Sequence, residues 1–131
     1  EQVHIWRRSF DIPPPKMDLS NPHHPAKNKI YKNNPAKKIP ESESLKDTFK
    51  RAVPYYQNKI EPLVSSKKNV LISAHGNSLR ALCKKIFNIS NEKIVDLEIP
   101  TGNPLLIKFG KDLKIKSCKY LNIKRAKKIF F

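Results

Sequence analysis

Cysteine is scarce in this chain: Cys83 and Cys118 stand 35 positions apart, with no CxxC or mixed Cys/His spacing around them. That pattern excludes the ligand sets of zinc sites and thiol redox motifs, so both cysteines read as packing residues and no metal is expected. Long apolar runs are also missing. No stretch approaches about 18 consecutive apolar residues, and no charged-then-apolar leader precedes a small-residue cleavage site. The expectation is therefore no membrane partner and a cytoplasmic location. Internal repeats are lacking as well. The chain opens at Glu1, inside a helical pattern rather than at a methionine, and is expected to be a piece of a longer protein.

Acidic residues are few: 11 Asp and Glu against 27 Lys and Arg, a formal charge of +16. A clustered positive field attracts polyanions such as nucleic acid. Here the lysines are scattered, and no basic run alternates with aromatics that could stack on bases. The 22 Lys, 11 Asn and 14 Ile beside only 5 Arg and 3 Gly form a skew that A/T-rich codons produce without selection for binding. No nucleic-acid partner is expected. The one dense basic segment, KRAKK at 124–128, reads as part of a solvated tail over 120–131. With 131 residues, 38% of them hydrophobic and 29% charged, one domain is the ceiling.

Seven of the eleven prolines fall between Asp11 and Pro40. Proline removes backbone donors and holds φ near one value, so residues 11–40 read as a long surface excursion rather than a strand or helix. Beyond it, Leu45, Phe49, Ala52, Val53, Tyr56 and Ile60 recur at helical spacing. Ser44 followed by Asp47 fits a capping box, and Pro54 should kink or split the helix. The β-branched apolar run VLISA at 70–74 suits an interior strand of a parallel sheet. After it, His75-Gly76-Asn77-Ser78 turns into a second helical period over 77–87. Strand, tight polar turn, helix is half of a βαβ unit. A short helical patch at 92–97 and a strand at 105–109 complete the reading, with the turn Ile99-Pro100-Thr101-Gly102 between them.

In open α/β sheets, ligands gather at the carboxyl ends of strands, where helix N-termini present free N–H groups. His75 stands at such a point. A lone histidine in a turn is more often a solvated or capping residue, but a buried strand ahead and Gly-Asn-Ser behind favour a site. Gly76 permits close backbone approach to an oxyanion, and Asn77 and Ser78 can cap the helix or donate to a ligand. Arg7 and Arg8, adjacent at a helix end, can fork around a carboxylate or phosphate. Taken alone they could equally be a solvated helix end with charge suited to the dipole. From the residues themselves, a small-anion site follows and no more.

Four segments, EQVHIWRRSFDIPPPKMD (Glu1 to Asp18), ESLKDTFKRAVPYY (Glu43 to Tyr56), VLISAHGNSLRAL (Val70 to Leu82) and IPTGNPL (Ile99 to Leu105), resemble consecutive motifs of cofactor-dependent phosphoglycerate mutase. The resemblance implies the histidine phosphatase superfamily fold, a three-layer α/β/α sandwich, here as an incomplete C-terminal portion spanning 1–131. It implies interconversion of 3-phosphoglycerate and 2-phosphoglycerate with 2,3-bisphosphoglycerate as phosphoryl primer. By position, Arg7 and Arg8 resemble the pair that grips the substrate, His75 the histidine that stabilises charge on the phosphoryl group in flight, and Gly76 and Asn77 its phosphate-binding neighbours. A homo-oligomer, or pairing with a missing N-terminal segment, is also implied.

Two departures accompany the resemblance. The family's N-terminal Arg-His-Gly motif, which carries the nucleophilic histidine, is not in this sequence, and neither is the acid/base glutamate. His4, His23 and His24 lie where the family has no nucleophile. The tail from Tyr120 also differs from the family's longer one. The chain alone is therefore expected to be inactive, and two other readings stand beside it: a phosphatase of the same superfamily, or a non-catalytic remnant.

Overall fold

A computed structural model describes residues 1–35 and 38–125. Among the described residues, four α-helices and one β-hairpin are formed: α1 Gln2–Arg8, α2 Leu45–Tyr55, α3 Glu61–Ser65, α4 Gly76–Ile86, β1 Leu105–Phe109 and β2 Ile115–Tyr120. Helices with a small antiparallel two-stranded sheet are the content of a partial α/β fold.

Local chemistry explains most boundaries. Ser44 and Asp47 form the expected capping box, each side chain satisfying the other residue's backbone N–H, an arrangement worth about 1 kcal/mol. Pro54 sits inside α2, where it cannot donate to the preceding turn, and one residue after α2 ends the helix widens into a π turn, Tyr56–Ile60, before α3 resumes. Asn88, at φ 50°, closes α4 in the left-handed conformation that Asn tolerates, with the Ile89 N–H returning to the Lys84 carbonyl at 3.0 Å. The patch expected at 92–97 is a single 3₁₀ turn, Lys93–Asp96.

The core lies where α2 packs on α4. Leu45, Ala81, Cys83, Ile94, Leu97 and Tyr120 are buried together, with Phe10, Phe49, Phe87 and Leu105 packed around them. Phe10 meets Phe49 edge to face at 6.1 Å, and the Lys84 ammonium lies 4.6 Å from the Phe10 ring centre.

Three expectations change. First, residues 70–74 form no helix and pair with no strand among the described residues. Leu71 is 90% exposed, so the expected interior parallel strand is not formed. A ladder needs a neighbouring backbone, and none of the described segments supplies one on either side of this run.

Second, β2 was not anticipated. It pairs antiparallel with β1, but Lys108 opposes Ser117 while Phe109 opposes Ile115, so one extra residue bulges from β2. The bulge shifts the alternation between Ile115 and Cys118, erasing the period of two that marks a strand.

Third, the expected surface excursion, described at 11–35 and 38–40, contains two short 3₁₀ turns, Pro25–Lys27 and Lys29–Tyr31. Yet it is anchored. The Met17 N–H donates to the Glu41 carbonyl at 3.0 Å, the Lys46 N–H donates to the Phe10 carbonyl at 2.7 Å, and Ser42 donates to the Pro14 carbonyl. His24 is buried, 1% exposed, with Nδ1 accepting from the Ala26 N–H. The tail expected at 120–131 is described only to Arg125, and the rest of it, including most of the KRAKK segment, lies outside the described residues.

Candidate functional site

An open cleft of about 1330 Å³ runs between α1, the segment from 70 to the start of α4, and β1. Arg7, Arg8, His75, Gly76 and Asn77 all line it, as do His4, Glu98 and Thr101. Two stretches of chain far apart in sequence thus border one cavity, although it is much larger than a pocket fitted to one anion.

Arg80 brings those stretches together. Buried at 6% exposure, its guanidinium donates to the carbonyls of Arg7 at 3.2 Å and Arg8 at 2.9 Å, at the end of α1. It also donates to the Ile94 carbonyl at 2.8 Å and to Asn77 Oδ1 at 3.3 Å. A planar fork with five donors suits this task, and its charge complements the carbonyl end of α1. Burial, then the neighbouring charge of Arg8, lowers the Arg80 pKa from its ordinary value. The sequence reading passed over Arg80, because helical periodicity places it but says nothing of carbonyls 72 and 73 positions away.

The two arginines of α1 differ. Arg8 reaches Glu98 at 3.5 Å, whereas Arg7 is exposed and forms no ion pair among the described residues. Arg7 is thus the more available cation. The Arg8–Glu98 pair, partly exposed on both sides, contributes little stability but holds both side chains at the cleft wall.

His75 is itself the N-cap of α4, in place of Asn77 or Ser78. Its Nδ1 accepts from the Asn77 N–H at 3.4 Å, so the neutral imidazole carries its proton on Nε2 and offers a donor there. Asn77 Oδ1 is engaged by Arg80, which leaves the amide nitrogen of Asn77 to donate elsewhere. Gly76 opens the helix with nothing within 4 Å of where a Cβ would stand. The packing of this chain around Gly76 therefore leaves room for a side chain.

The opposite wall is built by the turn before β1. Gly102, at φ 68°, takes a conformation that side chains disfavour. Asn103 is buried and exchanges two hydrogen bonds of 2.9 Å with the backbone of Asn122. Its amide thereby extends the hairpin by one rung and locks the turn.

Residues 16–119 match the model of the histidine phosphatase superfamily (branch 1). The chain belongs to this superfamily. Among curated relatives, this superfamily chain is 49% identical over 127 residues to a protein of Pelagibacter ubique named 2,3-bisphosphoglycerate-dependent phosphoglycerate mutase. It is 48% identical over 121 residues to one of that name from Pasteurella multocida, and 50% identical over 121 residues to one from Xylella fastidiosa. These alignments take in 97%, 92% and 92% of the chain but 53%, 53% and 49% of the relatives. The chain therefore spans about half the length of the curated relatives it matches, corresponding to their C-terminal portion. Among the described residues, no group of His, Cys, Asp and Glu could hold a metal ion, and no helix is long and apolar enough to cross a membrane.

Proposed function

We propose that this chain is the C-terminal, anion-holding half of a 2,3-bisphosphoglycerate-dependent phosphoglycerate mutase, which interconverts 3-phosphoglycerate and 2-phosphoglycerate. The observation that carries the reading is the joint lining of one cleft by Arg7, Arg8, His75 and Asn77, coupled through Arg80. The printed names of the relatives favour the mutase over a phosphatase of the same superfamily.

Phosphoryl transfer asks a protein mainly for positioning and for fixed donors facing the negative charge of the transition state. Arg7 supplies a forked cation for the carboxylate or phosphate of the substrate. His75 Nε2 and the N–H groups opening α4 supply donors to a phosphoryl oxygen. Among the described residues, Glu98 is the one carboxylate lining the cleft, and Arg8 offsets it, so the donor set suits a polyanion such as 2,3-bisphosphoglycerate. When bound, that molecule supplies the phosphoryl group that primes the cycle; Arg7, His75 and Asn77 are the residues that would hold it.

Acceptance of a phosphoryl group by a histidine requires a nucleophile in line with it, and electrostatic partners do not replace the accepting atom. His4 lines the cleft from α1, while His23 and His24 belong to the excursion. None has the Arg-His-Gly setting of the family's nucleophile. The 131-residue chain should therefore bind 3-phosphoglycerate weakly and turn none over. The same chain joined behind the N-terminal part of the Pelagibacter ubique relative should show primer-dependent turnover. Primer-dependent conversion by the chain alone, with contaminating host mutase excluded, or an inactive joined protein that is well folded, would count against the reading.

A further inference from the structure

A carboxylate stands among the cations of the cleft. Glu98 lines it together with Arg7, Arg8 and His75, and Glu98 Oε1 lies 3.5 Å from Arg8 Nη2. The backbone around Glu98 is fixed. Leu97, just before it, is 2% exposed, and the buried Tyr120 donates its hydroxyl to the Glu98 carbonyl at 3.4 Å. Arg8 is fixed in the same way, since its own carbonyl accepts from Arg80 at 2.9 Å. Two anchored backbones thus present two side chains that remain partly open to solvent, 31% exposed for Arg8 and 46% for Glu98.

Such a pair forms readily and breaks readily. Partly exposed ion pairs shift an equilibrium by only a few-fold, because water screens the charges and both side chains lose rotamer freedom. Arg80 stands close enough that, after burial, the charge of Arg8 lowers its pKa, so a counter-ion beside Arg8 also relieves repulsion between the two guanidinium groups. A ligand's phosphate or carboxylate can take that place as well as Glu98 does, with paired oxygens that match the guanidinium fork. Both cannot hold the same donors, and two anions at contact distance repel. Arg7, with no ion pair among the described residues, faces no such competition.

We propose that Glu98 is a specificity-determining residue, an internal competitor that occupies Arg8 until the second anionic group of a ligand displaces it. The proposal rests on the anion site described above and adds to it a discrimination by number of charges. A ligand with one anionic group is held at Arg7 and His75 and leaves the Arg8–Glu98 pair closed. A ligand with two, such as 3-phosphoglycerate, has to open the pair to reach Arg8. Glu98 therefore weakens the binding of doubly anionic ligands and leaves singly anionic ones nearly untouched.

Calorimetric titration at low ionic strength tests this with 3-phosphoglycerate and with inorganic phosphate, on the 131-residue chain and on the same chain joined behind the N-terminal part of the Pelagibacter ubique relative. Glu98→Gln should tighten 3-phosphoglycerate binding by about three- to tenfold and phosphate binding by less than about twofold. Glu98→Ala should give the same gain, which separates loss of the carboxylate from any contact made by the new amide. In an Arg8→Ala background the Glu98→Gln gain should shrink to less than about twofold, because the competitor then has no partner to release. The proposal is overturned by equal tightening for both ligands, which would make Glu98 a general source of negative field, by a gain that survives Arg8→Ala, or by unchanged or weaker 3-phosphoglycerate binding in both Glu98 variants. Binding by the wild type without a gain in the variants defeats this proposal alone, whereas absence of binding by every protein defeats the anion site and the competitor together.

Discussion

The Arg80 guanidinium lies 2.9 Å from the backbone carbonyl of Arg8, tying the end of α1 to the first turns of α4 across 72 positions of sequence. The same side chain holds Arg7, Ile94 and Asn77. Arg80→Met keeps most of the buried stem but strands three carbonyls that had a charged donor. A loss of about 2–4 kcal/mol in unfolding free energy follows, from hydrogen bonds to a charged group in a buried setting. Arg80→Lys should recover only part of it, since one ammonium cannot serve four acceptors spread around a planar fork. Urea unfolding of the three proteins measures this; an Arg80→Met midpoint equal to the wild type would remove Arg80 from its anchoring role.

Gly76→Ala separates folding from binding. The space around Gly76 is open and the residue begins a helix, so alanine should leave stability unchanged or raise it by about 0.4–1 kcal/mol. If the backbone there approaches a phosphoryl oxygen, the added methyl group should weaken 3-phosphoglycerate binding. Thermal unfolding and calorimetric titration on the same samples give the two readings, and equal affinity in both proteins would remove Gly76 from the anion site.

In a mutase completed with its N-terminal part, His75→Ala should lower turnover by about 10²–10³, the usual effect of removing one preorganised charge-stabilising donor. Arg7→Ala should act mainly on KM, since the role proposed for it is to bind. Steady-state kinetics distinguish the two, and a His75→Ala enzyme with unchanged kcat would contradict the assignment.

Acid should unfasten the start of α2. The hydrogen bond from Arg51, with Nη2 2.9 Å from Glu43 Oε2, holds the Glu43 carboxyl below its ordinary value of 4.5, and Ser44 holds Asp47 below 3.8. Because both folded values are depressed, their stabilisation is complete above the ordinary values and fades as pH falls through the lower folded ones. The gap in melting temperature between the wild type and Glu43→Gln should be full at neutral pH and narrow as pH falls below the ordinary carboxyl value of 4.5. A gap that does not narrow at all on acidification would show that the pair is not its cause.

Cys83 should be inert in the folded chain, since burial pushes its thiol up to about 12. Cys118 is raised as well, also by burial. Thiolate is the reactive form, so a disulfide reagent at pH 8 should modify Cys83 only on unfolding in urea, with Cys118 reacting first. Rapid labelling of Cys83 in native buffer would mean that the packing of α2 on α4 is loose.

Sequence alone determined what depends on neighbours a few positions away. The Ser44–Asp47 capping box, the helices ending near Arg8 and beginning after His75, and the strand at 105–109 follow from side-chain reach and apolar spacing, and the structure has them. The quoted motifs also carried the superfamily, because WRRSFD, AHGNSLR and IPTG in that order form a specific combination. Tertiary structure decided the rest. Strand formation at 70–74 depends on a backbone partner, and an apolar run specifies the need for one without supplying it. The bulge in β2 hid a strand by shifting its alternation. Burial of His24 inside a proline-rich segment, and of Arg80 against the carbonyls of Arg7 and Arg8, came from contacts between distant parts of the chain. Such contacts form only once the helices have packed, which is why no local pattern announces them.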